Sequence, residues 1–202
     1  MVELDDELML RFQKGDEEAF NLLVRRHHKP LINFIARFTG DRDNAEDLAQ
    51  ETFIRIYKAA DRYKQGRAKF KTWMYIIAKN LCKNEIRNRS RRDRYRVDNT
   101  AISQHSTDGD SEEIDIVASS PANSAYQPEV ALQRKELNKT IQAAIGELPE
   151  QYRYPLILRD IQGLSYDEIS DILELRSGTT KSRINRARIM LKDKLKPYME
   201  MI

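Results

Sequence analysis

Two blocks of helical apolar spacing, separated by a stretch that lacks it, limit what this chain can fold into. In the first block apolar residues recur every three or four positions, as at Phe20, Leu23 and Val24, and the spacing resumes from Val130. Between the blocks, residues 99–128 offer few apolar anchors, and no segment alternates convincingly with the period of two typical of a strand. A chain of 202 residues is long enough for two small domains. The sequence therefore predicts an all-α fold of two helical domains.

The stretch between the two blocks is acidic and rich in Ser, Asp, Glu and Asn. From Asp98 to Val130 there are seven acids and no Lys or Arg. Like charges without apolar partners cannot bury enough surface to fold alone, which favours a flexible linker. We therefore predict a first domain at residues 1–97, an acidic linker at 98–129 and a second domain at 130–202.

Several residues predict where individual helices begin and end. Asp16 is a suitable N-cap for the first long apolar stripe. Pro30 can open a new helix, since proline is tolerated in a first turn, and Gly40 can end that helix. A turn at residues 41–44 then leads into a third helix, and Leu148-Pro149 interrupts the second block.

General features of the sequence exclude several classes of protein. The single cysteine, Cys82, rules out an internal disulfide framework and is compatible with a reducing cytoplasm. No apolar run is long enough to span a bilayer, and the acidic residues 3–6 are unlike the basic start of a signal peptide. We therefore expect a cytoplasmic chain that is not inserted in a membrane.

The sequence has no pattern typical of an enzyme, a metal site or a cofactor site. His27, His28, Cys82 and His105 are too scattered to suggest a zinc site. There is no glycine-rich phosphate loop and no Ser-His-Asp set. We therefore expect no catalysis, metal, cofactor or small-molecule substrate.

Positive charge is concentrated in two blocks. From Arg62 to Val97 there are 13 Lys or Arg against two acids, and from Arg176 to Lys196 there are eight against one. Two basic blocks separated by an acidic stretch indicate two surfaces for a polyanion. The first block also carries aromatic residues. Opened DNA needs both types, because lysine and arginine follow the phosphates while flat rings hold unstacked bases.

The C-terminal segment has the pattern of a helix-turn-helix. Ser165 and Glu168 fit a capping box at the start of a short helix, and a tight turn at residues 174–178 follows. A second, basic amphipathic helix is predicted from Thr179 to about Leu195. In this motif the second helix enters the major groove of DNA, and its N-terminal end reads base edges. The alternative is an ordinary helical hairpin with a solvated basic face.

Short motifs occur in order along nearly the whole chain. They are Gly15-Asp16 with Ala19-Phe20, residues 45–53 (AEDLAQETF), residues 70–80 (FKTWMYIIAKN), Leu148-Pro149, residues 163–169 (GLSYDEI), and residues 178–183 (GTTKSR) with Arg186, Ala187 and Arg188. Each motif is weak evidence alone, but the ordered set is specific. The chain resembles the sigma factors of bacterial RNA polymerase, in the compact extracytoplasmic-function (ECF) class, everywhere except in the linker.

This resemblance implies a function in transcription initiation. Family members bind core RNA polymerase, direct it to specific promoters and help to open the duplex. The first domain, similar to sigma region 2, would bind the clamp helices of the largest polymerase subunit and the minus-ten element. The second, similar to region 4, would read the minus-thirty-five element. The resemblance also implies an anti-sigma partner, and a linker that threads the polymerase cleft, for which a passive spacer is the alternative.

The motifs and the resemblance together predict residues for each contact. The minus-thirty-five element would meet Arg176, Ser177, Thr179, Lys181, Ser182, Arg183 and Arg186. The minus-ten element and the melted strand would meet Tyr63, Lys64, Arg67, Lys69, Phe70, Trp73, Lys79, Asn80, Lys83 and Arg87. The polymerase would meet Asp47, Gln50, Glu51 and Ile54.

Some of these assignments have structural alternatives. The family uses an asparagine at the place of Asn80 to recognise a flipped base, and an amide suits this because it both donates and accepts. A buried asparagine bonded to nearby backbone is the alternative there. Trp73 could instead be mainly a core residue, and the polymerase-facing residues could lie on a merely solvated helix face.

The turn before the second helix of the motif departs from the family pattern. Arg176 and Ser177 stand where members usually carry Pro and an aliphatic residue, and Thr180 stands where Val is usual. Ser177 is a good N-cap, so we expect the helix to form. We expect Arg176 to alter the preference for the minus-thirty-five element and the Thr180 hydroxyl to weaken packing slightly.

Two other functions fit parts of the sequence. A free-standing helix-turn-helix repressor or activator would bind its operator unaided, and it has no need of a basic, aromatic surface in its other domain. A structural or RNA-binding protein would bind without regard to promoters and with a steep salt dependence. Initiation that depends on core polymerase separates a sigma factor from both.

Overall fold

The computed structural model describes residues 3–99 and 128–199, which form eight α-helices. The helices are α1 (Asp5–Gln13), α2 (Glu17–Thr39), α3 (Ala45–Lys58), α4 (Phe70–Asn99), α5 (Pro128–Gly146), α6 (Glu150–Leu156), α7 (Tyr166–Leu173) and α8 (Ser177–Met199). A 3₁₀ turn at Ala60–Arg62 follows α3, and a π-helical segment at Ile157–Ile161 continues α6. No strand occurs in the two described ranges, so the predicted all-α fold is confirmed. Most of the predicted linker lies outside the described residues.

The start of α2 follows the prediction, but its length does not. The Asp16 carboxylate accepts a hydrogen bond from the Ala19 amide at 3.2 Å and caps the helix. The helix then continues through Pro30, so the prediction that this proline opens a new helix is wrong. Leu23 and Leu31, on either side of the proline, are both fully buried. Burying one continuous apolar face outweighs the single hydrogen bond that proline cannot donate.

Other predicted helix ends are confirmed. Gly40 ends α2 in the left-handed conformation, with φ of 70°. The break at Leu148-Pro149 falls between α5 and α6. In the capping box, the Ser165 amide donates to the Glu168 carboxylate at 2.8 Å and the Glu168 amide donates to the Ser165 hydroxyl at 3.2 Å. These ends depend on local chemistry, which is why the sequence alone could place them.

Helices α1 to α4 form a unit that we call the N-terminal bundle. Helix α2 lies at its centre and packs against α1, α3 and α4. Its fully buried side chains include Leu8, Met9, Leu23, Leu31, Phe34, Ile35, Phe38, Ile56, Phe70 and Met74. Because each fully buried side chain of this kind contributes about 1.5–3 kcal/mol, the apolar interior supplies most of the driving force for this unit.

Helices α5 to α8 form a second unit, the C-terminal unit. Helix α8 packs against α5, α6 and α7. Thr180, Ile184 and Ala187 lie on its buried face, as the periodicity predicts. The apolar partners of this face include Ile157, Leu158, Ile169 and Ile172, which are all fully buried in the same core.

The two units pack against each other, which the sequence does not predict. Helix α4 contacts α7, and α2 contacts the π-helical segment after α6. The rings of Phe38 and Tyr154 stack across this contact, with centroids 3.6 Å apart and an interplanar angle of 6°. Beside them, the Arg37 guanidinium donates through Nε to the Gln142 amide oxygen at 2.7 Å. The apolar cores of the two units are therefore continuous.

Candidate nucleic-acid interface

The N-terminal end of α8 differs slightly from its prediction. The helix begins at Ser177, two residues before the predicted start at Thr179. The Arg176 carbonyl accepts the Thr180 amide at 3.0 Å, so Arg176 occupies the N-cap position. The prediction that Ser177 caps the helix is therefore wrong, because Ser177 already lies in the first turn.

The face of α8 opposite its buried stripe is open to solvent. Lys181, Ser182 and Arg186 are exposed on this face. Asn185 is exposed between them and was not among the predicted residues, although its spacing of three and four residues from Ser182 and Lys181 places it on the same face. Ile189 is 45% exposed one turn further along. We call Lys181, Ser182, Asn185 and Arg186 the α8 crest.

The other predicted residues of this region are less uniform. Arg176 and Thr179 are exposed, while Ser177 and Arg183 are half-buried. Arg188, further along α8, donates through Nε to the Asp160 carboxylate at 2.9 Å. This hydrogen bond raises the pKa of the Arg188 guanidinium. Arg188 is thereby tied to the π-helical segment rather than left free for a ligand.

An aromatic ring helps to position the charges beside the crest. The Arg159 guanidinium lies 4.7 Å from the centroid of the Tyr166 ring, and the Lys181 ammonium lies 5.8 Å from the same centroid. Contacts of this kind stabilise a cation by about 0.5–1 kcal/mol at an exposed site. Tyr166 thus orients the base of the Lys181 side chain while leaving it exposed.

The unusual threonine on the buried face of α8 has a polar partner. The Thr180 and Ser170 hydroxyl oxygens lie 2.9 Å apart, and both residues are buried. The Ser170 hydroxyl also donates to the Tyr166 carbonyl at 2.7 Å. The predicted packing defect at Thr180 is thus compensated by a hydrogen bond between α7 and α8.

The turn that joins α7 to α8 contains a residue in the left-handed region. Glu174 has φ of 58° and ψ of 46°, and among the described residues it is the only non-glycine with positive φ. Its amide donates to the Ser170 carbonyl, and the Leu175 amide donates to the same carbonyl at 2.9 Å. The turn is therefore a regular helix C-cap that carries glutamate where glycine is the usual residue.

Two aromatic residues of the predicted minus-ten surface are core residues instead. Tyr63 is 5% exposed and Phe70 is fully buried, so neither ring offers a pocket for a base in this arrangement. The Asp6 carboxylate explains their position, because it accepts the Tyr63 hydroxyl at 2.8 Å and the Phe70 amide at 2.7 Å. Burial, and then the bond to Asp6, raise the pKa of Tyr63. Sequence reasoning missed Asp6, which fixes the basic loop to α1.

Other residues of that surface are accessible. Trp73 is half-buried, with its ring centroid 5.4 Å from that of Tyr63, so one part of the indole is core and another part faces outward. Asn80 is exposed, which excludes the alternative of a buried asparagine. The exposed cations of this region are Lys64, Arg67, Lys69, Lys83 and Arg87. We call Trp73, Asn80 and these cations the α4 face.

Lys79 lies in the contact between the two units rather than in solvent. Its side chain is 1% exposed, and its ammonium lies 2.7 Å from the Glu174 carboxylate, which is 79% exposed. This hydrogen bond lowers the pKa of Glu174. Nearby, the Lys69 ammonium lies 3.1 Å from Glu168. Burial raises the pKa of Glu168, but bonds from Ser165 and Lys69 leave it below its ordinary value.

The predicted polymerase-binding residues lie on α3. Asp47 and Gln50 are exposed, and Ile54 is 45% exposed. Glu51 is half-buried and pairs with Arg55 at 2.7 Å. Tyr57, three residues after Ile54, is also 45% exposed and was not predicted. The structure therefore places an apolar pair beside the acidic residues of α3.

Membrane, metal and thiol chemistry can be examined in the same ranges. No helix of residues 3–99 and 128–199 has the length and apolar content needed to cross a bilayer. Within those ranges, no three His, Cys, Asp or Glu side chains are grouped so that they could hold a metal ion. Cys82 is buried, and burial raises the pKa of its thiol to about 12. Little of the reactive thiolate is therefore present at neutral pH.

The chain matches two families of protein domains, one in each unit. Residues 23–92 match Sigma-70 region 2, and residues 138–191 match Sigma-70, region 4. Among solved structures, CnrH in complex with the cytosolic domain of CnrY has a TM-score of 0.66 at 22% identity, covering 96% of this chain and 99% of that one. The sigma factor RpoE of Bartonella quintana, in complex with the anti-sigma factor NepR, has a TM-score of 0.64 at 25% identity, covering 88% and 96%.

Several full-length relatives are similar over nearly all of the chain. The RNA polymerase sigma-H factor of Pseudomonas aeruginosa is 38% identical over 197 residues, covering 98% of this chain and 96% of the relative. The ECF RNA polymerase sigma-E factor of Escherichia coli is 36% identical over 196 residues, covering 96% of each chain. That of Haemophilus influenzae is 32% identical over 201 residues, covering 96% and 97%. The chain therefore belongs to the ECF class of RNA polymerase sigma factors, the initiation factors that bind core polymerase and direct it to promoters.

Proposed function

We propose that the α8 crest reads the minus-thirty-five element and that the α4 face binds the melted minus-ten element. In this proposal residues 1–97 also dock on the polymerase, residues 98–129 connect, and residues 130–202 form the minus-thirty-five reader. The observation that carries the proposal is the α8 crest, where two cations, an amide and a hydroxyl lie together opposite a buried apolar stripe.

The α8 crest has the chemistry that a major groove requires. Lys181 and Arg186 supply positive charge to phosphates or to guanine acceptors. Asn185 can donate and accept at once, which suits the paired donor and acceptor on an adenine edge. Arg176 and Thr179, both exposed at the start of the helix, extend this surface towards the backbone of the DNA. Ser177 and Arg183 are half-buried and would contribute from its edges.

The α4 face has the chemistry that an opened strand requires. Its lysines and arginines provide a track for phosphates, and the outward part of Trp73 provides a surface for a base. Asn80 is exposed seven residues after Trp73, close to two helical turns along the same face, and can hydrogen-bond a flipped base. Tyr63 and Phe70 would act indirectly, by holding the basic loop in place from the core.

The exposed face of α3 is suited to docking on a helical partner. Ile54 and Tyr57 supply apolar contact area, and Asp47, Gln50 and Glu51 supply a polar rim. An apolar centre with a polar rim is the usual anatomy of a protein interface. We assign the clamp helices of the largest polymerase subunit as the partner.

Further features of the proposal follow from membership of the class. The chain would act in the cytoplasm, where the polymerase is, and would have no catalytic activity of its own. RpoE of Bartonella quintana is in complex with an anti-sigma factor, and we infer that this chain is also held inactive by such a partner.

Run-off transcription with purified core polymerase tests the proposal. On a promoter selected by the holoenzyme, wild-type protein should give a transcript, and core alone should give none. The variant I54R, which places a charge at the centre of the α3 face, should lose core binding while the charge-preserving control K58R, one turn further along α3, does not. Sequence-specific operator binding without any dependence on core would contradict the proposal and support a free-standing regulator.

A further inference from the structure

The contact between the two units covers part of the surface that we assign to melted DNA. Lys79 was predicted to bind the minus-ten element, but its side chain is 1% exposed and its charge is taken up by Glu174. We propose that the two units hold each other in a closed state, in which Glu174 occupies the place of a DNA phosphate on Lys79. This inference rests on the proposed function of the α4 face.

One residue of the C-terminal unit uses all its polar groups across the contact except its amide. The Gln162 carbonyl accepts the Lys71 ammonium at 2.7 Å, and its side-chain oxygen accepts the Tyr75 hydroxyl at 2.6 Å. Its side-chain nitrogen donates to the Pro30 carbonyl at 3.4 Å. The Gln162 amide bonds to the Ile157 carbonyl five residues earlier, so the π-helical segment sets the position of this side chain.

Three lysines of the N-terminal bundle meet acceptors of the C-terminal unit. Lys69 meets Glu168, Lys71 meets the Gln162 carbonyl, and Lys79 meets Glu174. A carboxylate resembles a phosphate in charge and in its oxygen acceptors, so an ammonium that it occupies is lost to DNA. The closed contact and the binding of melted DNA therefore exclude each other at these lysines.

The backbone of Glu174 is a second, independent reason to assign it this role. A left-handed C-cap favours glycine, and a residue with a Cβ is strained there. The amide bonds of the turn do not involve the Glu174 side chain, whose only hydrogen bond is the one to Lys79. The carboxylate is thus explained by its partner across the contact rather than by the turn.

The contact is also of a kind that polymerase can open. Glu174 is 79% exposed, so water reaches one side of the ion pair, and Lys69 is 70% exposed. Pairs with a solvated member are weak and reversible. Binding of the two units to separate sites on the polymerase would draw them apart and free Lys79.

The test uses the full chain with two fluorescent labels, on K58C in α3 and D193C in α8, both at exposed sites. The buried Cys82 will label poorly at neutral pH, so the labels report the separation of the two units. E174Q and E174K remove or reverse the charge facing Lys79. D171N and D171K make the same charge changes at an exposed position of α7, on the same unit. Binding of a fluorescent minus-ten single strand is measured without polymerase.

The closed state predicts a graded response. E174Q should increase the label separation and tighten single-strand binding about threefold, and E174K about tenfold, because DNA selects the open fraction. D171N and D171K should leave the label separation unchanged, and D171K measures the effect of added charge on DNA binding alone. Adding core polymerase to the wild-type chain should also increase the separation.

Two results would overturn the inference. One is an unchanged label separation in E174K, and the other is an increased separation with single-strand binding no tighter than in D171K. Core-dependent run-off transcription by the wild-type chain tests the proposed function separately, since it does not require Glu174 to act as a latch. Transcription with either of these results would retain the sigma-factor function and remove the closed state.

Discussion

The first half of α4 and the first half of α8 are both basic helices, yet only the second is freely accessible. On α8 the cations of the crest point to solvent, opposite a narrow buried stripe. On α4 the lysine at position 79 is buried, together with the aromatic ring of Tyr75. The difference lies in the apolar content of α4, because a helix that is apolar on more than one side attracts a second partner. Charge density therefore locates a binding surface but does not establish that it is available.

The cost of the two arrangements is also different. An exposed cation such as Arg186 is solvated and loses little before DNA arrives. A buried ammonium such as that of Lys79 needs its carboxylate, since removing one partner of a buried pair costs about 3–5 kcal/mol when both are buried, and less here because Glu174 is exposed. The α8 crest is thus ready to bind, while the α4 face has an intramolecular competitor.

The largest expected effect breaks the accessible side of this comparison. Reversing two charges of the crest in K181E/R186E should lower promoter-directed initiation roughly 100-fold or more, since each lost contact costs about 1–3 kcal/mol and like charges add repulsion. Run-off transcription with core polymerase measures it. K192E/K196E reverses two exposed charges further along α8 and should have a much smaller effect. Equal losses in both variants would mean that the crest has no special role.

A smaller effect concerns the amide of the crest. N185A should weaken binding to the preferred minus-thirty-five sequence by roughly tenfold, because a good bidentate contact to a base contributes about 1–3 kcal/mol of discrimination. The loss should fall on one base pair, which competition between promoter variants would identify. If all promoter variants lost affinity equally, Asn185 would not be reading a base.

The accessible side of the comparison could be predicted from the sequence, because it depends on local periodicity. Thr180, Ile184 and Ala187 recur every three or four residues, so their common burial and the exposure of the opposite face follow from helix geometry. The capping box of Ser165 and Glu168 needs only its own four residues. Asn185 could have been found by the same spacing, but attention to charge passed over a neutral amide.

The covered side could not be predicted in this way, because it depends on residues that are distant in sequence. Phe70 is fixed by Asp6, 64 residues away, and Lys79 is paired with Glu174, 95 residues away. Nothing in the local pattern of α4 indicates either partner. The continuous helix through Pro30 was missed for the same reason, since tertiary burial decided it against the local preference of proline.

Acid should open the covered side. The pKa values of Glu168 and Glu174 lie below the ordinary value of 4.5 in the folded chain. A lowered pKa means that their contribution is complete above the unfolded value and is lost as pH falls through the folded value. The separation of the labels on α3 and α8 should therefore rise only below pH 4.5, reversibly and before helical circular dichroism is lost. The E168Q/E174Q variant should not show this step, and a wild-type midpoint above pH 4.5 would contradict the assignment.

The smallest effect concerns the hydroxyl pair beneath the crest. The Ser170 hydroxyl gives its one hydrogen to the Tyr166 carbonyl, so Thr180 must be the donor in the bond between the two hydroxyls. T180V removes a donor and leaves only a spare acceptor lone pair on Ser170, which should change the free energy of unfolding by less than about 1 kcal/mol.

The reverse substitution should be more costly. S170A leaves the buried hydroxyl of Thr180 without an acceptor, which costs about 1–3 kcal/mol. The double variant S170A/T180V should return towards the wild-type stability, because replacing both partners of a buried bond by apolar groups of similar shape is nearly neutral. Urea denaturation followed by circular dichroism measures all three variants. A larger loss in T180V than in S170A would reverse the donor assignment, and simple additivity in the double variant would mean that the two hydroxyls are not bonded at all.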